Sequence, residues 1–341
     1  MDTMIRSVTL TNYVQVAQRH GLQPLALMRE VGLDAAALAD PEHLVPLAAA
    51  CRLLELSAER GQAPGFGLEM AEQRKKPDFG PIGLLLAHQR TLRDVLLTVV
   101  RYRHLLNSAL AMYLEPSGDK VVIREEMVSS SALPARQANE LVVGLIARIA
   151  RALLGQHWQP CSVNFTHAAP ADLGYHRQFF RCPIIFNSDF NGIVCLAADL
   201  ERANPGADPE LVRYAESLAA PSAALAPDAL VLEVRKAIYL LLPLEQASLE
   251  AVAASLHLSV RTLQRRLAGQ GRDFSQLLDE VRHELAVRYL ANPANPVGRI
   301  ALLLGYGRQA SFTRWFYGRF GITPRQWRGS GNKYFEKNSN S

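Results

Sequence analysis

The pattern of apolar and polar positions is most regular between Ser248 and Arg328. Leu249, Val252, Ala253 and Leu256 recur at a spacing that puts them on one face of a helix. His257-Leu258-Ser259 breaks the pattern, and Ser259 is placed to cap a second helix running to about Gln270. Leu263 and Leu267 form the buried stripe of that helix, while Arg261, Thr262, Gln264, Arg265 and Arg266 take its other positions. The pattern then returns. Val252-Ala253 and Leu258 match Ile300-Ala301 and Tyr306 at an offset of 48 residues, and Leu263 and Leu267 match Phe312 and Phe316 at 49. One residue is therefore added at the turn of a duplicated structural unit. In the second copy Gly305-Tyr306-Gly307 makes the turn, since glycine tolerates the positive φ of a tight bend. The helix after it, about Gln309 to Phe320, carries Arg308, Gln309, Thr313 and Arg314 on its polar side. Between the copies, Phe274, Leu277, Leu278, Val281, Leu285 and Leu290 mark one long amphipathic helix, stopped by Asn292-Pro293 and Asn295-Pro296.

Upstream the pattern is less repetitive. Residues 1–110 read mostly as helices. Thr11 is placed to cap the first, Pro24 opens the next, and a longer amphipathic stretch follows Pro46. Gly61 to Gly67 reads as a loop, and Phe79-Gly80-Pro81-Ile82-Gly83 precedes another helix. Thr91 with Asp94 resembles a capping box ahead of Val95, Leu96, Val99, Val100 and Tyr102. Ala111 to Glu115 and Val121 to Glu125 then read as a hairpin around Pro116-Ser117-Gly118-Asp119. Pro134 begins a long helix to about Gly155. Strands at Cys161–Thr166, Pro183–Phe186 and Gly192–Leu196 alternate with helices at Asp172–Phe180 and Asp208–Ala219. The expected fold class is α+β and mostly α. An N-terminal α+β domain (1–218) has a small, mainly antiparallel sheet, and an all-α domain (228–328) has two helix-turn-helix units joined by a long helix. Ala219 to Pro227 is the expected linker. Gly329 to Ser341 is expected to be a flexible tail, too poor in bulky apolar residues to offset its ordering entropy.

Charge sharpens this division. Of 37 Lys and Arg and 32 Asp and Glu, residues 228–341 hold 16 and 9, a net of +7, which leaves −2 for the rest. A basic surplus confined to the half with the duplicated helices suits a polyanion partner. Arginine and glutamine on an exposed helix face suit phosphates and the base edges of the major groove. The 4 cysteines include no CxxC pair, which fits a reducing compartment. No signal peptide or membrane span is evident, so the protein is expected in the cytoplasm with no membrane partner.

Three strings carry a family resemblance: SVRTLQRRL, the IALLLGY turn, and SFTRWFYGRFGITPRQWR with its closing Gly-Ile-Thr-Pro. Leu249 to Arg328 resembles the DNA-binding domain of AraC-type bacterial transcription regulators. The chain departs from that pattern at Gly298-Arg299, where an acidic residue is common, and at Gly307-Arg308-Gln309, which replaces a Ser/acidic turn. GPIGLLLAHQRTLRDVLLTVVRYRHLL and HRQFFRCPIIFNSDFNGIVCLAADL resemble the helix-rich effector domain of one subset, to which ornithine-utilisation regulators belong. The resemblance implies binding to promoter DNA through Arg261, Thr262, Gln264 and Arg265 in one groove and Arg308, Gln309, Thr313 and Arg314 in the next. It also implies a small-molecule effector, recruitment of RNA polymerase and a possible homodimer.

Signatures of catalysis are missing: there is no GxGxxG after a strand, no GxxxxGK[ST], no HExxH and no GxSxG. His157, Cys161, His167, His176 and Cys182 are close in sequence but match no zinc spacing. No metal or cofactor is expected, and the chain is not expected to be an enzyme. Tyr102, Tyr113, Glu125 and Glu140 are the candidate effector contacts, the carboxylates suiting a cationic amino acid. A pocket for it is expected between the sheet and the Pro134–Gly155 helix. The expected function is a transcription regulator, an activator responding to a small metabolite. The alternatives are an architectural DNA-binding protein without an effector and an enzyme domain fused to a DNA-binding domain.

Overall fold

At the N-terminus β1 (Met4–Arg6) leads through a 3-10 turn to three short helices, α1 (Tyr13–Arg19), α2 (Pro24–Glu30) and α3 (Ala36–Ala39). β2 (Leu44–Pro46) then pairs antiparallel with β1. This two-stranded sheet was not expected, because three-residue strands show too little alternation to stand out among helices. Thr11 does not cap α1. Asn12 holds the cap position in the left-handed region at φ 71°, and the Thr11 hydroxyl donates to the Val8 carbonyl instead. The computed structural model describes residues 3–75, 80–129, 133–219 and 229–329. The expected linker and tail therefore fall, but for Ala219 and Gly329, outside the described residues.

Four longer helices follow: α4 (Leu47–Arg60), α5 (Phe66–Gln73), α6 (Gly80–His88) and α7 (Leu92–Leu106). Gly80-Pro81-Ile82-Gly83, expected ahead of a helix, forms the first turn of α6, where proline removes no helical hydrogen bond. The Asp94 N–H donates to Thr91 Oγ1 at 3.1 Å, so the expected cap of α7 is present.

β3 (Leu110–Ser117) and β4 (Lys120–Met127) form the expected hairpin. Then come α8 (Arg136–Leu154), β5 (Ser162–Asn164), α9 (Gly174–Phe180), β6 (Ile184–Ile185), β7 (Asn191–Leu196), α10 (Ala197–Leu200) and α11 (Pro209–Leu218). The five-stranded sheet has the order β3-β4-β7-β5-β6 and is antiparallel except between β5 and β6. β3 lies at its edge, which is why Pro116 is tolerated inside a strand. Val121, Ile123, Glu125 and Met127 alternate along β4 and are buried, and α8 packs across β4 and β7.

Two helices of this unit, α5 and α8, approach very closely. A Cβ at Gly67 would lie 2.1 Å from the Gln137 carbonyl oxygen. The Gly67 N–H donates to Gln137 Oε1 at 2.7 Å, and Gln137 Nε2 donates to the Pro64 carbonyl at 2.9 Å. Glycine here is a matter of space rather than of φ.

The C-terminal part begins with α12 (Ala229–Leu241), for which no helix was expected. α13 (Leu249–Ser255), α14 (Val260–Ala268), α15 (Phe274–Ala291), α16 (Val297–Leu303), α17 (Gln309–Phe320) and α18 (Pro324–Gly329) follow. By contacts the chain divides into two units, Met1–Ala224 and Leu225–Ser341, and the described residues of each surround a core of their own.

Gly67→Ala should force α5 away from α8. Overpacking of this kind costs about 1–3 kcal/mol. The urea midpoint of the N-terminal unit should fall with its slope unchanged. A midpoint equal to wild type would mean that the two helices are not held this closely.

Candidate nucleic-acid interface

The duplicated pattern is the core of the C-terminal unit. Val252, Ala253, Leu263 and Leu267 from the first copy and Ile300, Ala301, Phe312 and Phe316 from the second are all buried, and they share one cluster. The repeat extends to the backbone. His257 in the first turn has φ 54° and Gly305 in the second has φ 71°, so equivalent positions both take the left-handed region. Only the glycine is free of a Cβ penalty there. Gly307 is the residue added, between Tyr306 and the helix-capping Arg308. The two N-caps differ. Ser259 Oγ accepts from the Thr262 N–H at 3.2 Å, whereas Arg308 makes no side-chain cap.

Burying these stripes leaves one face of α14 and one of α17 outward. Arg261, Gln264, Arg265 and Arg266 are exposed on α14, and Thr262, half-buried, shares a hydroxyl contact of 2.8 Å with Ser259. Arg308, Gln309 and Arg314 are exposed at α17 and Thr313 is half-buried. A Cβ at Gly298 would lie 3.1 Å from Gln309 Oε1, so this glutamine rests beside the start of α16. The structure thus groups the eight expected contacts into two sets of four, one for each helix-turn-helix unit.

α15 holds both units. Leu277, Val281, Leu285, Ala286, Tyr289 and Leu290 are its buried face. Its start is fixed by a capping box: Asp273 Oδ1 accepts from the Gln276 N–H at 2.8 Å, and the Asp273 N–H donates to Gln276 Oε1. Arg235 of α12 donates to Glu280 at 3.1 Å and to Glu284 at 2.6 Å, Arg272 donates to Glu280, and the Tyr239 hydroxyl donates to Glu284. On the side of the second unit, Trp315 Nε1 donates to Asp279 and Arg282 Nε to the Leu304 carbonyl at 3.0 Å. The Arg282 guanidinium also covers the Tyr306 ring at 4.6 Å. Burial pushes the Tyr306 phenol up to about 12. The capping box and α12 were missed by the sequence reading. Asp273-x-x-Gln276 and the stripe Leu230, Val234, Ala237, Ile238, Leu241 were the available signals.

The four expected effector contacts are dispersed. Tyr102 is buried where α7 leaves helical geometry at φ −104°, ψ 16°. Tyr113 is half-buried on β3 and Glu125 is buried on β4. Glu140, fully buried on α8, has Oε1 at 3.1 Å from His176 Nε2 and 3.3 Å from His167 Nε2. Burial holds the His167 imidazole below its ordinary range. Among the described residues no group of His, Cys, Asp or Glu is arranged to hold a metal ion. A cavity of about 100 Å³ does lie against α8, but its other walls come from β1 and the 3-10 turn after it, α4, Arg74, α6, α7 and the ends of β3 and β4. A cleft of about 930 Å³ lies between α6, α8 and Asn204–Gly206. Neither is lined by Tyr102, Tyr113, Glu125 or Glu140.

Comparison with known proteins accounts for both units. Residues 21–204 match the model of the arabinose-binding domain of AraC transcription regulators, and residues 252–330 match a helix-turn-helix domain. The chain is 31% identical over 337 residues to the HTH-type transcriptional regulator VirS of Mycobacterium tuberculosis, covering 97% of this chain and 98% of that protein. It is 28% identical over 271 residues to the ornithine utilization regulator of Pseudomonas aeruginosa, covering 78% of each. It is 35% identical over 86 residues to the urease operon transcriptional activator of Escherichia coli, covering 25% of this chain and 29% of that one. These relatives are regulators of transcription and not enzymes. A chain with two helix-turn-helix units on one core, matched over nearly its whole length by such a regulator, belongs to the AraC family of DNA-binding transcription regulators.

Proposed function

We propose that this regulator reads two successive major grooves of a promoter, one with α14 and one with α17, and that a small metabolite bound in the N-terminal unit sets its operator affinity. The observation that carries the DNA half is the pair of outward helix faces: each is rich in Arg, Gln and Thr, and each is backed by a buried apolar stripe in a single core. Arg261, Thr262, Gln264 and Arg265 serve the first groove, and Arg308, Gln309, Thr313 and Arg314 the second. Arginine pairs bidentately with guanine and glutamine with adenine, each pair giving about 1–3 kcal/mol of discrimination. Residues 228–341 are the portable DNA-binding part and residues 1–218 the sensing part.

The protein acts as an activator in the cytoplasm, recruiting RNA polymerase, with self-association through the N-terminal unit. One relative is named an activator. None of the described helices is long and apolar enough to cross a membrane. The match to an arabinose-binding-type domain supports a small-molecule effector rather than a purely architectural role.

Gln264→Ala should change base preference at one operator position and leave the others as in wild type. Binding to a complete set of single-base operator variants checks this, and a profile identical to wild type would remove Gln264 from base reading. The sensing half rests on linkage. An effector that alters operator affinity 5- to 150-fold, about 1–3 kcal/mol of coupling, must itself bind more or less tightly by the same factor when operator is present. Calorimetric titration with and without operator should give that factor. Equal effector affinities would exclude control through DNA occupancy.

A further inference from the structure

The two cavities against α8 adjoin, since Arg74, Leu86, Leu145 and Ile149 line both. Their walls differ in kind. The smaller one, about 100 Å³, is an apolar shaft with walls such as Leu54, Leu96, Leu141 and Met127. In the larger one, every ionisable side chain among the described wall residues is basic: Arg74, Lys75 and Arg148, with His88. Arg74 and Arg148 both line the cleft; Arg148 Nη1 donates to the Arg74 carbonyl at 2.7 Å, and Arg74 Nη1 to the Val8 carbonyl at 2.7 Å. Burial pulls the Arg148 guanidinium below its ordinary range. The Glu72 carboxylate acts on Arg148, and it accepts the Tyr175 hydroxyl at 2.5 Å outside both walls.

A half-buried guanidinium gains from a partner that returns a negative charge, and its planar fork suits a carboxylate bidentately. A shaft whose walls are mostly apolar, with Thr9, Arg74 and Asn107 as its polar members, favours an apolar occupant. We infer that the effector is an apolar-tailed carboxylate, with its anionic head at Arg74 and Arg148 and its alkyl or aryl tail in the shaft. This rests on the sensing role proposed above and departs from a cationic amino acid held by Glu125 and Glu140. A cavity of about 150 Å³ accommodates benzene, so the shaft takes a few carbons and the cleft the remainder.

Three eight-carbon probes test it by calorimetry on the full chain without DNA: octanoate, octanamide and octylamine. Octanoate should bind saturably, octanamide at least about tenfold more weakly, and octylamine more weakly still. Ile149→Trp fills the junction and should abolish octanoate binding, with circular dichroism checking that the variant is folded. Should it not fold, Lys75→Gln, on an exposed side chain, should weaken octanoate and leave octanamide unchanged. The inference is overturned if octanoate does not saturate, if the amide or amine binds as well, or if the folded Trp variant, or otherwise Lys75→Gln, binds octanoate like wild type. Octanoate binding that leaves operator affinity unchanged would instead uphold the ligand class and count against its role as effector. A different metabolite that shifts operator affinity, with no octanoate bound, would do the reverse.

Discussion

Both helix-turn-helix units depend on the burial of one face of α15. Leu277, Val281 and Leu285 each lie 1% exposed or less, and around them the apolar stripes of α14 and α17 close a single core. Side chains that flank this face tie it sideways. Glu280 and Glu284 receive Arg235, Arg272 and Tyr239, while Asp279 and Arg282 receive Trp315 and hold the Leu304 carbonyl. An 18-residue helix spans about 27 Å, somewhat less than the roughly 34 Å of one DNA turn. Arg235 is buried while its carboxylate partners are partly exposed, so losing a partner would cost more than breaking a surface pair. The value of these ties lies in fixing the rotation of α12 and α17 about α15, which undirected apolar packing leaves less defined.

The two copies use this frame differently. The first has a small aliphatic core, a serine cap and three arginines on α14. The second has a ring cluster in which Phe316 stacks on Phe320 at 4.1 Å and Trp327 packs edge-on to both. Its recognition helix begins without a side-chain cap, and Gln309 lies beside Gly298. A helix start without a side-chain cap is itself suited to a phosphate.

What was legible in the sequence follows from what periodicity records. The C-terminal unit could be read almost residue by residue, since an apolar stripe at helical spacing, repeated at 48 and 49 residues, states both the elements and their shared core. The hairpin around Gly118 and the Thr91 cap were visible because turns and caps demand particular residues. The three-residue β1 and β2 carried no such signal. α12 was overlooked although its stripe was present. Effector chemistry was the least legible. Glu125 and Glu140 were singled out as carboxylates near the sheet, but sequence does not say which face of a helix a carboxylate takes, nor that two histidines from β5–α9 reach Glu140. Arg148, the one basic residue between Ile146 and Ile149 on an apolar helix, was the available clue to a cation lining a cavity.

One rigid helix, α15, is proposed to hold two reading helices at a set distance. Operators in which five, or ten, base pairs are inserted between the two contacted segments test it directly, by equilibrium binding to residues 228–341. A fixed separation predicts that both insertions reduce affinity to that of a single segment, including the ten-pair insertion that restores the groove to the same side of the duplex. Wild-type affinity at either spacing would contradict it, because the two helices would then have to move independently of α15.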